Sequence, residues 1–416
     1  MDRDARPNTA ELLARLPPLP DVKRPFFQGP DHLSKDLDEG DVELVTEMIS
    51  GRFLDFMLSE LLAGLPDVSR SLESLGPAGL VLQARASNTI NALTVPTRDG
   101  VVIIYNLGFY SVLYSVSTAV ALIATRPSDG TQAVEYISGL VDWATSRVKE
   151  PRVTPLEFDN EQSSLATNIA AQAQRFAMCH ELGHVIEFDS AEEPGHTATV
   201  EGVAVSALHD TWDKEYAADR DGLDMFLRVL ASQGKSASGA LIGAELFLNA
   251  AGMLQESSIN EGQSHPPPDD RLFRVRNQFL DAFGETALVL AQPAMELRGI
   301  LEAFRHEVTH EIRRRRAETT RQLTEAFESY AARASSMTQD EKRAAAKQVS
   351  RFLLASPGAT LDFLHERIFA PRGSNEPGGG SPTRLLAVNA ALHFEESLQA
   401  AVEIPRLQLG HISKRT

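Results

Sequence analysis

The sequence predicts an α+β protein that is mostly helical, with a small sheet beside one long central helix. Three observations carry that prediction. Apolar residues recur at helical spacing through most of the chain, as at Val42, Leu44, Val45, Met48, Ile49, Phe53, Leu54 and Met57. Only two short runs, residues 91–96 and 101–105, read as strands, joined by an Arg98-Asp99-Gly100 turn. The composition is that of a soluble globular chain with a large core: 416 residues, 43% hydrophobic and 23% charged, with one cysteine and hence no disulfide framework.

Taken in order, residues 1–37 are rich in Pro and charge and read as a poorly ordered arm. Helices are expected at 41–65, 107–124, 131–147, 160–186, 212–233, 237–257, 268–284 and 292–335. Residues 188–211 show no helical period and are expected to form a long loop or an irregular hairpin. Residues 371–383, with Pro371-Arg-Gly-Ser-Asn-Glu-Pro-Gly-Gly-Gly, read as a flexible linker, followed by a short helix and a basic tail over 384–416. The expected organisation is a main domain over 38–290 and a helical accessory region over 291–370, suited to substrate choice or self-association.

The net charge of −17 argues against nucleic acid as a partner. The lone thiol and the absence of a signal pattern at the start of the sequence point to the cytoplasm. Residues 101–125 carry no charge and are long enough to span a bilayer. They also contain Asn106, Gly108, several hydroxyls and three tyrosines, so a strand followed by a buried helix is the preferred reading and a membrane-associated protein the alternative.

The strongest chemical signal is His180-Glu181-Leu182-Gly183-His184. Two histidines four apart on a helix lie on one face, one turn apart, where both imidazoles can reach one Zn²⁺. Glu181 is then placed to take a proton from a water at the metal. The same pattern recurs at His306-Glu307-Val308-Thr309-His310. There the apolar stripe is Leu301, Phe304, Val308 and Ile312, and each histidine sits two residues from Val308, about 200° around the helix. The second pair is therefore expected to face solvent. Some thirty residues after the first pair, Glu215 and Asp219 lie one helical turn apart. Glu215 can complete a His₂Glu set, and Asp219 can fix the tautomer of a ligand histidine. Cys179 points away from the ligand face and reads as a small core residue. His196 and His209 read as surface residues, and the Arg313 to Arg316 run as a solvated helix face.

Together these segments resemble the gluzincin metallopeptidases, most closely the CAAX-prenyl-protease and HtpX-like branch with its soluble minigluzincins. A soluble phage-exclusion peptidase of the Lit kind is another possible neighbour. The resemblance covers about residues 85–285 and rests on four pieces in chain order. These are the 91–108 hairpin, His180 to His184, Glu215-Tyr-Ala-Ala-Asp219, and Ser264-His265-Pro-Pro-Pro-Asp-Asp-Arg271. The chain departs from that group by a long insertion between hairpin and central helix, and it lacks the obvious multiple membrane spans.

The resemblance implies a zincin-like metallopeptidase domain with one Zn²⁺ per chain, acting on a protein or peptide substrate. It implies roles for His265 and Arg271 at the oxyanion or in placing substrate, although His265-Pro-Pro equally reads as a rigid lead-in to a helix. It also implies that strand Val101, Val102, Ile103, Ile104 and Tyr105 pairs with an extended peptide, the alternative being an ordinary core strand. The expectation is zinc-dependent hydrolysis of peptide bonds, with metal on His180, His184 and Glu215 and Glu181 as base. The competing expectation is a binding protein with structural zinc, which an intact Glu181 disfavours.

Overall fold

The computed structural model describes residues 6–16, 52–85, 92–146, 156–187, 196–200, 203–207, 211–257 and 265–333, with single positions at 336, 338 and 341. The expected first part of the 41–65 helix, the linker, the C-terminal helix and His209 lie outside the described residues. The described fold is mostly helical with a small three-stranded sheet. The chain divides into two units. The larger holds residues 1–141, 151–256 and 261–308, and the second holds 142–150, 257–260 and 309–416.

The larger unit opens with a helix that falls inside the arm expected to be poorly ordered. Helix α1, Thr9–Arg15, starts from a capping box in which Asn8 and Glu11 satisfy each other's backbone N–H. Thr9 donates its backbone N–H to Asp99 Oδ1 at 2.7 Å, and its hydroxyl donates to the same oxygen at 2.9 Å. Leu12 and Leu16 are buried with Leu93, Val95, Val102, Ile104, Val200 and Val205. This burial fixes the helix, whose own seven residues are too few to hold a helix unaided.

Helices α2, Arg52–Ala63, and α3, Pro66–Leu72, precede strand β1, Gly79–Arg85. Strands β2, Ala92–Pro96, and β3, Gly100–Asn106, form the expected hairpin, with Ala92 opposite Tyr105 and Pro96 opposite Val101. Strand β1 was not anticipated. It pairs in parallel with β3, from Gly79 opposite Gly100 to Arg85 opposite Asn106, giving the order β1-β3-β2. Val101, Val102, Ile103, Ile104 and Tyr105 therefore belong to the central strand, hydrogen-bonded on both sides and buried. The expectation that they offer a free edge to a substrate peptide is corrected: they are an ordinary core strand, and both main-chain edges are already used.

Helix α4, Leu107–Thr125, follows at once, and α5 runs over Gly130–Ser146. Among the described residues, 108–125 is the one segment long and apolar enough to cross a membrane, and more than half of it is buried inside the protein. Three of its hydroxyls are satisfied within the helix: Ser117, Thr118 and Thr125 donate to the carbonyls of Leu113, Tyr114 and Ala121, four residues back. Helix α6, Asn160–Ile186, begins at a capping box between Asp159 and Gln162 and buries every residue from Phe176 to Gly183. The 188–211 segment contains a hairpin of β4, His196–Val200, and β5, Val203–Ala207. Helices α7, Trp212–Ser232, α8, Ser238–Ser257, and α9, Pro268–Phe283, follow close to their expected limits.

Helix α10, Ala287–Arg333, is continuous, and the division between units falls within it, after Val308. Leu301, Phe304 and Val308 are buried. In the second unit Arg316 donates to Asp142 Oδ1 at 2.9 and 3.0 Å and to the Ser257 carbonyl at 2.7 Å.

Candidate metal centre

Helices α6 and α7 approach closely enough that their backbones touch. A Cβ on Gly183 would lie 2.9 Å from Ala218 Cα, and one on Gly222 would lie 3.0 Å from the His180 nitrogen. Glycine at both positions lets the helices pack at short range, with Ala218 as the facing small residue. That contact carries Glu215 and Asp219 onto the histidine face of α6.

His180 Nε2 and His184 Nε2 lie 3.2 Å apart. Glu215 reaches both, with Oε2 3.7 Å from His180 Nε2 and Oε1 3.4 Å from His184 Nε2. The ligand atoms of the three residues lie within 4.8 Å of one another, so the group could hold a metal ion. Its donor set is two imidazoles and one carboxylate, and Glu215 Oε2 is buried without a hydrogen-bond partner. Two ring nitrogens and a carboxylate this close together fit a cation, with Arg271 Nη2 3.3 Å from Glu215 Oε2 and Glu215 Oε1 on the His184 side.

The surroundings hold these groups in place. Asp219 Oδ1 sits 3.0 Å from His180 Nδ1, close but off the ideal hydrogen-bond line, and favours the tautomer that leaves the Nε2 lone pair facing the site. Arg271, from the first turn of α9, donates to both oxygens of Asp219 at 2.7 Å, and its Nη2 is 3.3 Å from Glu215. Burial opposes ionisation of Glu215, but Arg271 and the neighbouring histidines outweigh it and hold its carboxyl well below the usual range. Asp219 is lowered against the same burial penalty by Arg271 and His180. Burial alone would lower His184, yet Glu215 and Glu181 raise it. The wall behind the histidines is aromatic. The Phe247 ring is 5.6 Å from His180 and 5.5 Å from Phe176, and its far edge meets Phe109 at 5.6 Å.

The structure thus brings together His180, Glu181, His184, Glu215, Asp219 and Arg271. Arg271 is turned inward onto two carboxylates. His265 stands at the mouth with its side chain half exposed and Nε2 3.7 Å from Glu215 Oε1. Val101 to Tyr105 are the buried central strand described above and are not brought into the group. At the second His-Glu-x-x-His match, His306 and His310 are exposed while Val308 between them is buried, as the helical phase requires. Cys179 is fully buried, and burial pushes its thiol pKa up.

Thr94 is a site residue that reading the sequence missed. On β2 its hydroxyl donates to Glu181 Oε2 at 2.7 Å. The signal was present in the strand alternation: Leu93 and Val95 share the face packed on α1, so Thr94 must face the other way, toward α6. Gly222 and Phe247 were also passed over, because only the crossing of helices gives them meaning.

A His₂Glu arrangement on paired helices that could hold a metal ion is the class of site defined by this geometry. Over residues 128–291 the chain matches the model of the family described as Peptidase U49. That stretch takes in every residue named above on α6, α7 and α9, covers less than half of the chain, and supports a peptidase. It does not speak for the CAAX-prenyl-protease and HtpX-like branch. No curated protein and no solved structure matches the chain.

Proposed function

We propose that the chain is a zinc-dependent endopeptidase, with one zinc ion held by His180, His184 and Glu215 and Glu181 serving as general base. The observation that carries this reading is the convergence, within 4.8 Å, of two imidazoles from α6 and a buried carboxylate from α7, with a second carboxylate, Glu181, next to the first histidine. Zinc, when bound there, would polarise the scissile carbonyl and bring the pKa of a bound water toward about 7.

The protein's own groups do the rest. Glu181 takes the proton of the attacking water and returns it to the departing amine. Asp219 keeps the proton of His180 on Nδ1. Arg271 pins Asp219 and Glu215 so that neither carboxylate turns away. Phe247, packed on the His180 ring, excludes bulk water from that side of the site, where fixed charges act more strongly than in solution. His265, half exposed at the mouth, is placed to meet charge that develops on the substrate carbonyl oxygen.

The test is metal content by mass spectrometry together with hydrolysis of fluorescein-labelled casein. Glu181→Gln keeps zinc and loses hydrolysis, whereas Glu215→Ala loses zinc. Loss of zinc from Glu181→Gln, or full metal and activity in Glu215→Ala, would overturn these roles.

A further inference from the structure

We propose that Thr94 is the positioning residue for the Glu181 base: its hydroxyl clamps Oε2, leaving Oε1 as the oxygen turned to the attacking water. The inference rests on the peptidase reading above and adds a residue to it from outside the 128–291 family match.

A glutamate side chain has two staggered torsions and a broad terminal one, so helix α6 alone does not fix where its carboxylate points. Glu181 is nevertheless buried, at 8% exposure, and so is Thr94, at 4%. Among the described residues Thr94 is the hydrogen-bond donor to Glu181, at 2.7 Å, and Oε1 receives none. A threonine hydroxyl has one proton to donate, and an ionised carboxylate only accepts, so the clamp commits that proton to Oε2 and leaves Oε1 for other partners. The clamp is itself stiff. Thr94 is β-branched, which restricts its first torsion, and it sits opposite Ile103 in a strand paired to the fully buried β3. The base is thereby held by the sheet and the metal ligands by the two helices, so the distance between them is set by the packing of sheet against α6.

A plain bracing contact between sheet and helix would use the same hydrogen bond, so the test must separate the two. Thr94→Val keeps shape and strand preference and removes the donor, and Thr94→Ser keeps the donor. With fluorescein-labelled casein as probe, Thr94→Val lowers kcat by about 10- to 100-fold with KM within about twofold, and Thr94→Ser restores most of it. Zinc content stays at the wild-type level in both. The cobalt-substituted proteins give a readout without turnover. The visible spectrum of Thr94→Val moves in the direction of Glu181→Gln, and that of Thr94→Ser stays with wild type. A Thr94→Val protein with wild-type kcat and wild-type cobalt spectrum, changed only in melting temperature, would reduce Thr94 to a brace and overturn the proposal. Casein hydrolysis that survives Glu181→Gln, or is absent from the wild type, would instead bring down the peptidase reading, and this inference with it.

Discussion

Replacing Gly183 by alanine tests whether the contact between α6 and α7 sets the geometry of the centre. The new Cβ would lie 2.9 Å from Ala218 Cα and 3.0 Å from the Ala218 carbonyl oxygen. Both are backbone atoms that cannot rotate aside. Ordinary contact begins near 3.4 Å, so the helices must part by about 3.4 − 2.9 = 0.5 Å. Overpacking of this kind costs about 1–3 kcal/mol. Alanine gives back about 1 kcal/mol through its better helix propensity. The net loss is about 1 kcal/mol, or roughly 2–4 °C in melting temperature for a unit of this size. The effect on metal is larger, because ligand distances tolerate only about 0.2 Å and Glu215 moves with α7 while the histidines stay with α6. Zinc affinity should fall by about 10- to 100-fold, a range typical of disturbed ligand support. Thermal melting of metal-free protein and chelator competition of the loaded protein measure the two separately. A variant that melts higher than wild type and binds zinc equally well would show that helix propensity wins and that the close approach does not govern the site.

Two further outcomes follow from burial. The double substitution His306→Ala with His310→Ala leaves zinc content and casein hydrolysis at wild-type levels, because both side chains are exposed and neither belongs to the ligand group. Loss of metal in that variant, by mass spectrometry, would refute the assignment of the centre to α6. Cys179 is buried and its thiol pKa is raised, so its thiolate fraction at pH 8 is suppressed below that of a free thiol. A thiol reagent should label it only as the protein unfolds, and rapid labelling of the native chain would contradict the packing of α6.

The parts of the fold that the sequence disclosed are those written locally. The limits of α6 and α7 were legible from helical periodicity, and they coincide with local caps: a capping box between Asp159 and Gln162, and Thr211 accepting from Lys214. The histidine pair and the outward phase of His306 and His310 followed from helical spacing, and Glu215 with Asp219 from that spacing together with their place some thirty residues after the pair. What was hidden depends on partners distant in the chain. Strand β1 is an unremarkable Gly-Leu-Val-Leu-Gln-Ala-Arg run until β3 pairs with it, and β3 looked like an edge because one neighbour was visible and the other was not. Helix α1 was masked by its proline-rich flank, and its burial depends on hydrogen bonds to Asp99, some ninety positions away. Thr94 was hidden for the same reason: its partner, Glu181, lies 87 residues downstream.

The pairing of Arg271 with Asp219 and Glu215 has an electroneutrality consequence. Within the buried cluster, Glu181, Glu215 and Asp219 contribute three negative charges and Arg271 one positive, a sum of −2. A dication brings that sum to zero. Without a cation the cluster carries an excess that a low-dielectric interior resists, and protons are the available substitute. Glu215 and Asp219 are held below the usual carboxylate range while Glu215 and Glu181 push His184 up, so an imidazole is the favoured place for a proton in the absence of a cation. A divalent ion bound as proposed would compete with that proton for His184. Loading and proton release are two halves of one exchange, and acid conditions would favour the protonated, metal-free form.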